Sequence, residues 1–588
     1  MYEQVQNFNE ALLEAMDTYA ERTCFRVKRG SHHQDISYRQ FQTLTFRLVR
    51  FFGRYGLTKG ERVAIIADNC LEWMVAYVAC LLSGGIAIPL PTSLAPDMLC
   101  FIMQDSGARL AVVHDERQSR ILESIVEELP NLDTVLAINK DQESLLGAFP
   151  MAEVLTQEVT SEERETIRAS AETIDPQAVA SIHYATGKTD RPRGAVFDHA
   201  QRLKAMQHLA EWFTLNDDDL AFTFAPWSYM PSLDASLHYF LSGMTNVVAE
   251  SRQATYDNLQ QASPTLGLVT PYTLEGVYHL IIDKISQLPE SSREAFHWAL
   301  ATSREYHAAG LSASQELREQ YARADMTFFS QIRGWMGGRL RRLYSVGAPL
   351  SQELAQFLEA IGLLALDSYN VIEAGGFPAI NRSNKRRANS CGQVAPGFQI
   401  RIAEDGEVLV RGATVMREYW KRPEETQQVI DSEGWLHTGD LGRFDRDGYL
   451  HLTGRKQSLI VLSTGRKVVP TTIENALVAS PFIHQAMVFG NGRLHISALI
   501  VPNLDAVAAH IRENGEDDAD LVTPSTSPKV RKLLDKAVVD ANSQQARWEW
   551  IRGYTILDQP LIEITDELAA ATEIDRQAIS EQYAEQIE

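Results

Sequence analysis

The residues best placed to do chemistry are Asp440 and Arg455. They lie in the stretch Gly434 to Val469, which reads GWLHTGDLGRFDRDGYLHLTGRKQSLIVLSTGRKVV. An acidic and a basic side chain held at neighbouring chain ends can flank one small polar ligand. The elements that must position them are short strands. Asp447-Gly448 is a hairpin signal, and Ser463-Thr464-Gly465-Arg466 is a second turn. Both lie beside apolar runs, Tyr449 to Leu452 and Leu459 to Leu462. Consecutive hairpins with polar groups at their ends are therefore expected.

The chain of 588 residues is too long for one ordinary domain, and 45% hydrophobic with 22% charged residues supplies a sizeable core. A net charge of -22 argues against nucleic-acid binding and allows at most peripheral membrane contact, because phosphate-rich partners select basic surfaces. The five cysteines, at 24, 70, 80, 100 and 391, form no CxxC pair, which points to a reducing cytoplasm. The start, MYEQVQNFNEALLEAM, lacks the basic and apolar regions of a secretion signal. Trp73 to Leu90 is apolar enough to resemble a membrane span. Ser83-Gly84-Gly85 interrupts it, so a buried helix, a turn and a buried strand are expected instead.

Residues 8 to 56 read as two amphipathic helices around one short strand, with Phe41, Leu44, Leu48 and Phe51 near helical spacing. Arg62 to Ala67, Ile86 to Leu90, Leu110 to Val113 and Val135 to Ile138 read as buried strands of a parallel sheet. Residues 139 to 178 read as an acidic surface excursion with short helices. Strands at Leu220 to Pro226, Met244 to Glu250, Leu266 to Thr270 and Arg342 to Ser345 follow, with a helical region over 273 to 336. Beyond 392 the alternation shortens to hairpins. The fold class is α/β: a large multi-lobed N-terminal domain (1–454) with parallel and mixed sheets and a small β-rich layer, then a smaller, mobile α+β C-terminal domain (455–588).

GWLHTGD followed by GRK resembles the ribose-binding segment and hinge of the adenylate-forming superfamily, which includes acyl-CoA synthetases. Further motifs in the same order resemble that family: Gly56-Leu57-Thr58-Lys59-Gly60-Glu61, Ser345-Val346-Gly347-Ala348-Pro349-Leu350, and Gly406 to Gly412. Asn491-Gly492-Arg493 with Ala498 to Pro502 resembles the long-chain fatty acid branch. The resemblance implies a two-step reaction. A fatty carboxylate attacks the α-phosphate of ATP, and the thiol of CoA, or of a carrier protein, then displaces AMP.

Under that resemblance, Thr186, Gly187, Lys188, Thr189 and Arg193 form the phosphate loop, and Gly347, Ala348 and Pro349 border adenine. Tyr369 stacks on the base, Asp440 and Arg455 hold ribose, and Glu373 holds Mg²⁺. Gly465 belongs to the mobile domain's loop. Tyr229 lines the end of the acyl pocket, beside the substrate carboxylate. Gln457 falls at the hinge, where Asp or Lys is usual.

Three positions depart from the family pattern. Asp190 replaces a phosphate-loop glycine, and a carboxylate about 4 Å from phosphate costs on the order of 1 to 4 kcal/mol. Ile372 replaces a hydroxyl that would bond the α-phosphate, and the neighbouring Asn370 replaces a glycine, where it could supply a left-handed backbone. Glu573 occupies the place of the catalytic lysine, and Arg576 could substitute only if the loop shifted by a helical turn. These departures allow two expectations. One is a ligase with impaired adenylation; the other is a catalytically deficient relative that binds nucleotide or acyl-CoA as a regulatory partner.

Overall fold

The computed structural model describes residues 5–30, 32–139, 147–185, 191–213, 215–249, 254–513, 523–561 and 576–583. Two large sheets dominate. In the first, the strands Arg62–Ile66, Ile86–Leu90, Leu110–Val113 and Thr134–Ala137 pair in parallel, as their continuous apolar runs require. Antiparallel Val179–Ala185 and Arg193–Asp198 extend that sheet towards the site.

The second sheet has nine strands. Its parallel centre is Thr245–Val248, Leu220–Thr223, Leu266–Val269, Arg342–Ser345 and Leu364–Val371. The strand Gly376–Ile380 then turns back antiparallel at one edge. At the other edge sit Thr23–Arg29 and His32–Ser37, where the sequence suggested one strand. The polar run His32-His33-Gln34-Asp35 hides the second, because an edge strand needs no apolar alternation.

Two helices lie fully inside. Leu71–Leu82 is buried at every position but Glu72, and all 12 residues of Met230–Leu241 are buried. Apolar residues of both sheets, among them Val63, Ile65, Ala221 and Leu268, belong to one continuous core with these helices. The apolar stretch before Leu90 is therefore interior, and among the described residues no helix is long and apolar enough to cross a membrane. Residues 147–178 run along the surface with short helices, as expected. The helix Ser161–Glu172 starts at a capping box, Thr160 with Glu163, and buries Ala171.

A four-stranded antiparallel sheet follows: Phe398–Ile402, Glu407–Gly412, Leu436–Phe444 and Leu450–Arg455. The smaller C-terminal domain has its own core. It is built on the hairpin Ile460–Val461 with Lys467–Val468, the helix Pro470–Val478, and the strands Ile483–Phe489, Ile496–Pro502 and Ile551–Ile556.

The core carries His199 and His238, which are 0% and 1% exposed and have no hydrogen-bond partner on either ring nitrogen. Burial lowers both from an ordinary 6.5 to about 4. Between those values the unfolded chain binds more protons than the folded one, so stability falls as pH falls. Each histidine should contribute a slope of up to about 1.4 kcal/mol per pH unit below its unfolded value. Denaturant unfolding followed from neutral to acid pH should show this loss, and a His238→Gln variant should show a shallower slope.

Candidate functional site

Leu436–Phe444 and Leu450–Arg455 pair antiparallel with Asp440 directly opposite Arg455. Asp440 is 6% exposed. One carboxylate oxygen meets Arg455 Nε at 3.1 Å, and the other accepts from Tyr369 Oη at 2.6 Å. The Asp440 N–H donates to Thr438 Oγ1, which in turn donates to the Val408 carbonyl. Tyr369 is buried, with its hydroxyl on Asp440; burial and that carboxylate push its phenol well above the usual range. The tyrosine expected at the base is thus also a holder of the ribose candidate.

Glu373 sits in the single helical turn Ile372–Ala374 that ends the strand Leu364–Val371. It is 3% exposed and accepts from Tyr419 Oη at 2.7 Å. The Arg193 guanidinium covers the Tyr419 ring at 4.4 Å and lies 3.6 Å from Glu425. Arg193, Glu373, Tyr419, Thr438, Gly439, Lys456 and Gln457 share the wall of one cleft of about 300 Å³. Thr186, Gly187, Lys188, Thr189 and Asp190 lie outside the described residues, but both ends of their loop are set. Tyr184 pairs with Gly194 and Ala185 with Arg193. A Cβ at Gly194 would sit 2.6 Å from Ile182 Cγ2, so the close strand pairing requires that glycine.

The turn Gly347-Ala348-Pro349 follows Arg342–Ser345, with Gly347 at φ +92°. It is tied to Leu364–Val371 twice. Leu350 N–H donates to Asp367, and Gly347 N–H donates to Asn370 Oδ1 at 3.3 Å. Burial pushes Asp367 up to about 7 against the pull of the Leu350 and Ser368 N–H groups. The Asn370 amide nitrogen donates to Tyr229 Oη at 2.7 Å. Asn370 is not left-handed, as the sequence suggested. It belongs to an extended strand and is absent from the positive-φ positions. Ile372 is partly buried and packs against the cluster of Ala195, Phe197, Met230, Met416 and Tyr419.

Gly465, at φ +77°, caps the exposed hairpin between Ile460–Val461 and Lys467–Val468 and does not line the cleft. Glu573 lies outside the described residues. Arg576 is bonded to Glu474 at 2.5 Å and to the Val488 carbonyl at 3.3 Å. Those bonds hold Arg576 against the strand Ile483–Phe489 and the helix Pro470–Val478 of the C-terminal domain.

Sequence reasoning missed Glu407. It is 4% exposed and accepts from Lys456 Nζ and from Gly439 N–H, each at 2.9 Å, with His437 Nδ1 at 3.2 Å. Burial alone would raise this carboxyl, but the bonds from Lys456, His437 and Gly439 hold it below the usual range. Lys456 also meets Asp405 at 2.6 Å. The available signal was a carboxylate opening an otherwise apolar strand, Glu407-Val408-Leu409-Val410.

The AMP-binding enzyme family profile matches residues 12–420, and the AMP-binding enzyme C-terminal domain matches 457–588. The chain is 28% identical over 543 residues to the long-chain-fatty-acid–CoA ligase FadD15 of Mycobacterium bovis, covering 91% of this chain and 88% of that one. It is 24% identical to the long-chain-fatty-acid–CoA ligase ACSBG1 of Rattus norvegicus, covering 99% of this chain and 85% of that one. Among solved structures, it resembles the anthranilate CoA ligase AuaEII in complex with anthranoyl-AMP, with a TM-score of 0.71 at 18% identity over 99% of this chain and 97% of that one. It also resembles a Mycobacterium tuberculosis fatty acyl CoA synthetase, with a TM-score of 0.66 at 18% identity over 99% of this chain and 99% of that one. The two structural likenesses establish a shared fold. With one profile spanning most of the chain and a second covering its C-terminal part, the chain belongs to the AMP-binding enzymes, the adenylate-forming superfamily.

Proposed function

We propose that the protein is an acyl-CoA synthetase that activates a medium-to-long-chain fatty acid with ATP and passes it to CoA or a carrier-protein thiol, with a slow first half-reaction. The observation that carries this reading is a pair of buried carboxylates, each held by a buried phenol, with Glu373 on the cleft wall and Asp440 next to its wall residue Gly439. Asp440 is held by Tyr369 and Arg455, and Glu373 is held by Tyr419 beside Arg193. A nucleoside needs an acceptor for ribose hydroxyls, and its phosphates need cations nearby. Asp440 would accept from ribose while Arg455 holds it in place. The Gly347-Ala348-Pro349 turn would border adenine, and Arg193, with Thr186, Gly187, Lys188 and Thr189, would face the phosphates.

Glu373 suits Mg²⁺, being a hard oxygen donor on the cleft wall. Phosphate oxygens and water would complete the coordination of such an ion. When bound, Mg²⁺ would neutralise phosphate charge. Tyr419, bonded to Glu373, would keep that carboxylate oriented. In the first step a fatty carboxylate oxygen bonds to the α-phosphorus, and the bond to the pyrophosphate bridging oxygen breaks. In the second, the thiol sulfur bonds to the acyl carbon, AMP leaves with its oxygen, and the thiol proton passes to solvent. The hinge would lie at Lys456 and Gln457, dividing an N-terminal domain of 1–454 from a mobile domain of 455–588 that brings in Gly465. A cytoplasmic location suits these substrates.

The slow first step follows from side chains that cannot donate or that repel. Ile372 offers no donor, and Glu573 in place of lysine repels both the carboxylate and the α-phosphate. Loss of one such donor is worth roughly 10²-fold or more. Fatty-acid-dependent pyrophosphate exchange should therefore be slow, and Glu573→Lys should raise it by at least about 10-fold. A wild-type rate equal to that of the Mycobacterium bovis relative would overturn the impairment. AMP affinity, measured by calorimetry, should fall by roughly 10- to 100-fold in Asp440→Ala. Unchanged affinity would remove Asp440 from the ribose site.

A further inference from the structure

Asp105 lies in the last turn of the helix Pro96–Ser106, where outward carbonyls favour a cation over a carboxylate. The helix already has its ending in Gly107, a left-handed cap at φ +64°. Asp105 therefore serves no need of its own helix, and its bonds reach outward. Its side chain is 12% exposed, with both oxygens in use. Oδ2 accepts from Tyr184 Oη at 2.7 Å, and Oδ1 accepts from Arg422 Nη2 at 3.0 Å. Its backbone carbonyl accepts from Trp420 Nε1 at 3.2 Å and from Lys421 Nζ at 2.8 Å. Burial and the Asp105 carboxylate push the Tyr184 phenol far above its usual range, so it remains a donor. Lys421 is held at φ +56°, a left-handed backbone that a non-glycine residue adopts at a cost.

These partners flank one strand. Arg193–Asp198 pairs with Val179–Ala185 along one edge, where Tyr184 is opposite Gly194, and with Glu418–Tyr419 along the other, where Tyr419 is opposite Ala195. Trp420 N–H donates to the Gly194 carbonyl at 2.7 Å. Asp105 thus clamps both neighbours of the strand that begins at Arg193. Two routes lead from this clamp to the cleft. Arg422 also donates to Glu425 at 3.3 Å, and Glu425 lies 3.6 Å from the Arg193 guanidinium. Tyr419, the residue before Trp420, donates to Glu373 and carries the Arg193 guanidinium over its ring. Arg193, Glu373 and Tyr419 are on the cleft wall, and Asp105 is behind it.

We propose that Asp105 is a positioning residue for the triphosphate and its magnesium ion. By holding Tyr184 and residues 420–422, it sets the place of Arg193 and, through Tyr419, the place of Glu373. The inference rests on the acyl-CoA synthetase reading above. It divides the nucleotide site in two: the phosphate end depends on the clamp, whereas at the ribose end Asp440 is held by Tyr369 and Arg455. Loss of the clamp is therefore felt by ATP with Mg²⁺ and not by AMP.

The test is equilibrium binding to the full-length protein without fatty acid, so that no adenylate forms. ATP with Mg²⁺ and AMP without it are titrated separately, and Mg²⁺ is then titrated at fixed ATP. Asp105→Ala, Asp105→Asn and Arg422→Gln are compared, each checked by thermal unfolding. Asp105→Ala should weaken ATP binding by about 10-fold or more and raise the Mg²⁺ concentration for half-saturation, with AMP affinity within about 2-fold of wild type. Asp105→Asn should bring ATP affinity back to within about 3-fold of wild type, since its amide can accept from Arg422 and donate to the Tyr184 oxygen. The double variant Asp105→Ala/Arg422→Gln should lose less than the product of the two single losses, because both act on Arg193 by one route.

ATP affinity within about 2-fold of wild type in Asp105→Ala, with AMP binding intact, would overturn the positioning role alone. So would wild-type protein that binds AMP but shows no Mg²⁺-dependent binding of ATP. Equal loss of ATP and AMP binding with a lowered unfolding temperature would make Asp105 part of the scaffold only, and would also overturn it. Wild-type protein that binds neither nucleotide would overturn the synthetase reading, and the positioning role with it.

Discussion

Burying a carboxylate costs several kcal/mol unless it is paired and fully hydrogen-bonded, and Asp440 draws its carboxylate partners from two other chain segments. Tyr369 comes from the nine-stranded sheet, Arg455 from the adjacent strand, and Thr438 orders the backbone at the aspartate itself. The small antiparallel sheet therefore cannot slide against the large one without stripping a buried charge of its partners. Breaking such a pair by removing one partner typically costs about 3 to 5 kcal/mol. The position of the candidate ribose site is in this sense a stability requirement of the fold.

The strand Leu364–Val371 carries that requirement to the other subsites. Its side chains alternate between faces, and the register shift after Tyr369 redirects the next one. Asp367 fixes the turn that ends at Leu350, Tyr369 reaches Asp440, Asn370 reaches Tyr229, and Glu373 follows at the strand's end. One strand thus addresses the candidate adenine, ribose, acyl and metal positions. A distortion at any of these residues would be transmitted to the rest, because they share one backbone.

Legibility in the sequence followed the range of the interaction. Leu110–Val113 could be read to the residue, because a strand buried on both faces shows as an uninterrupted apolar run with sharp ends. The hairpin that brings Asp440 near Arg455 was foreshadowed by the Asp447-Gly448 turn, but the register shift between Leu441 and Gly442 that sets the two directly opposite was not. The edge strand His32–Ser37 was not legible, for its polar residues carry no period. Neither was the bond from Tyr419 to Glu373, whose partners are 46 positions apart, nor the one from Asn370 to Tyr229, 141 apart. Pairings of that kind arise from how sheets stack, which no local pattern records. Asn370 was misread for a related reason: asparagine tolerates left-handed backbone, but here a distant acceptor and donor use its side chain instead.

The chain leaving Arg455 shows how the same logic limits motion. Lys456 N–H donates to the Gly439 carbonyl, and its ammonium meets Glu407 and Asp405. The ammonium is half-exposed, so its attraction to Asp405 is worth little in water. Glu407 is different, because it is buried and would be left with an unpaired charge if Lys456 swung away. In the proposed rotation of the C-terminal domain, the turn would therefore fall beyond Lys456, at the exposed Gln457. An ordinary acid or base at 457 is not needed for that purpose; a residue whose backbone can turn freely is enough, and the anchoring falls to the lysine before it.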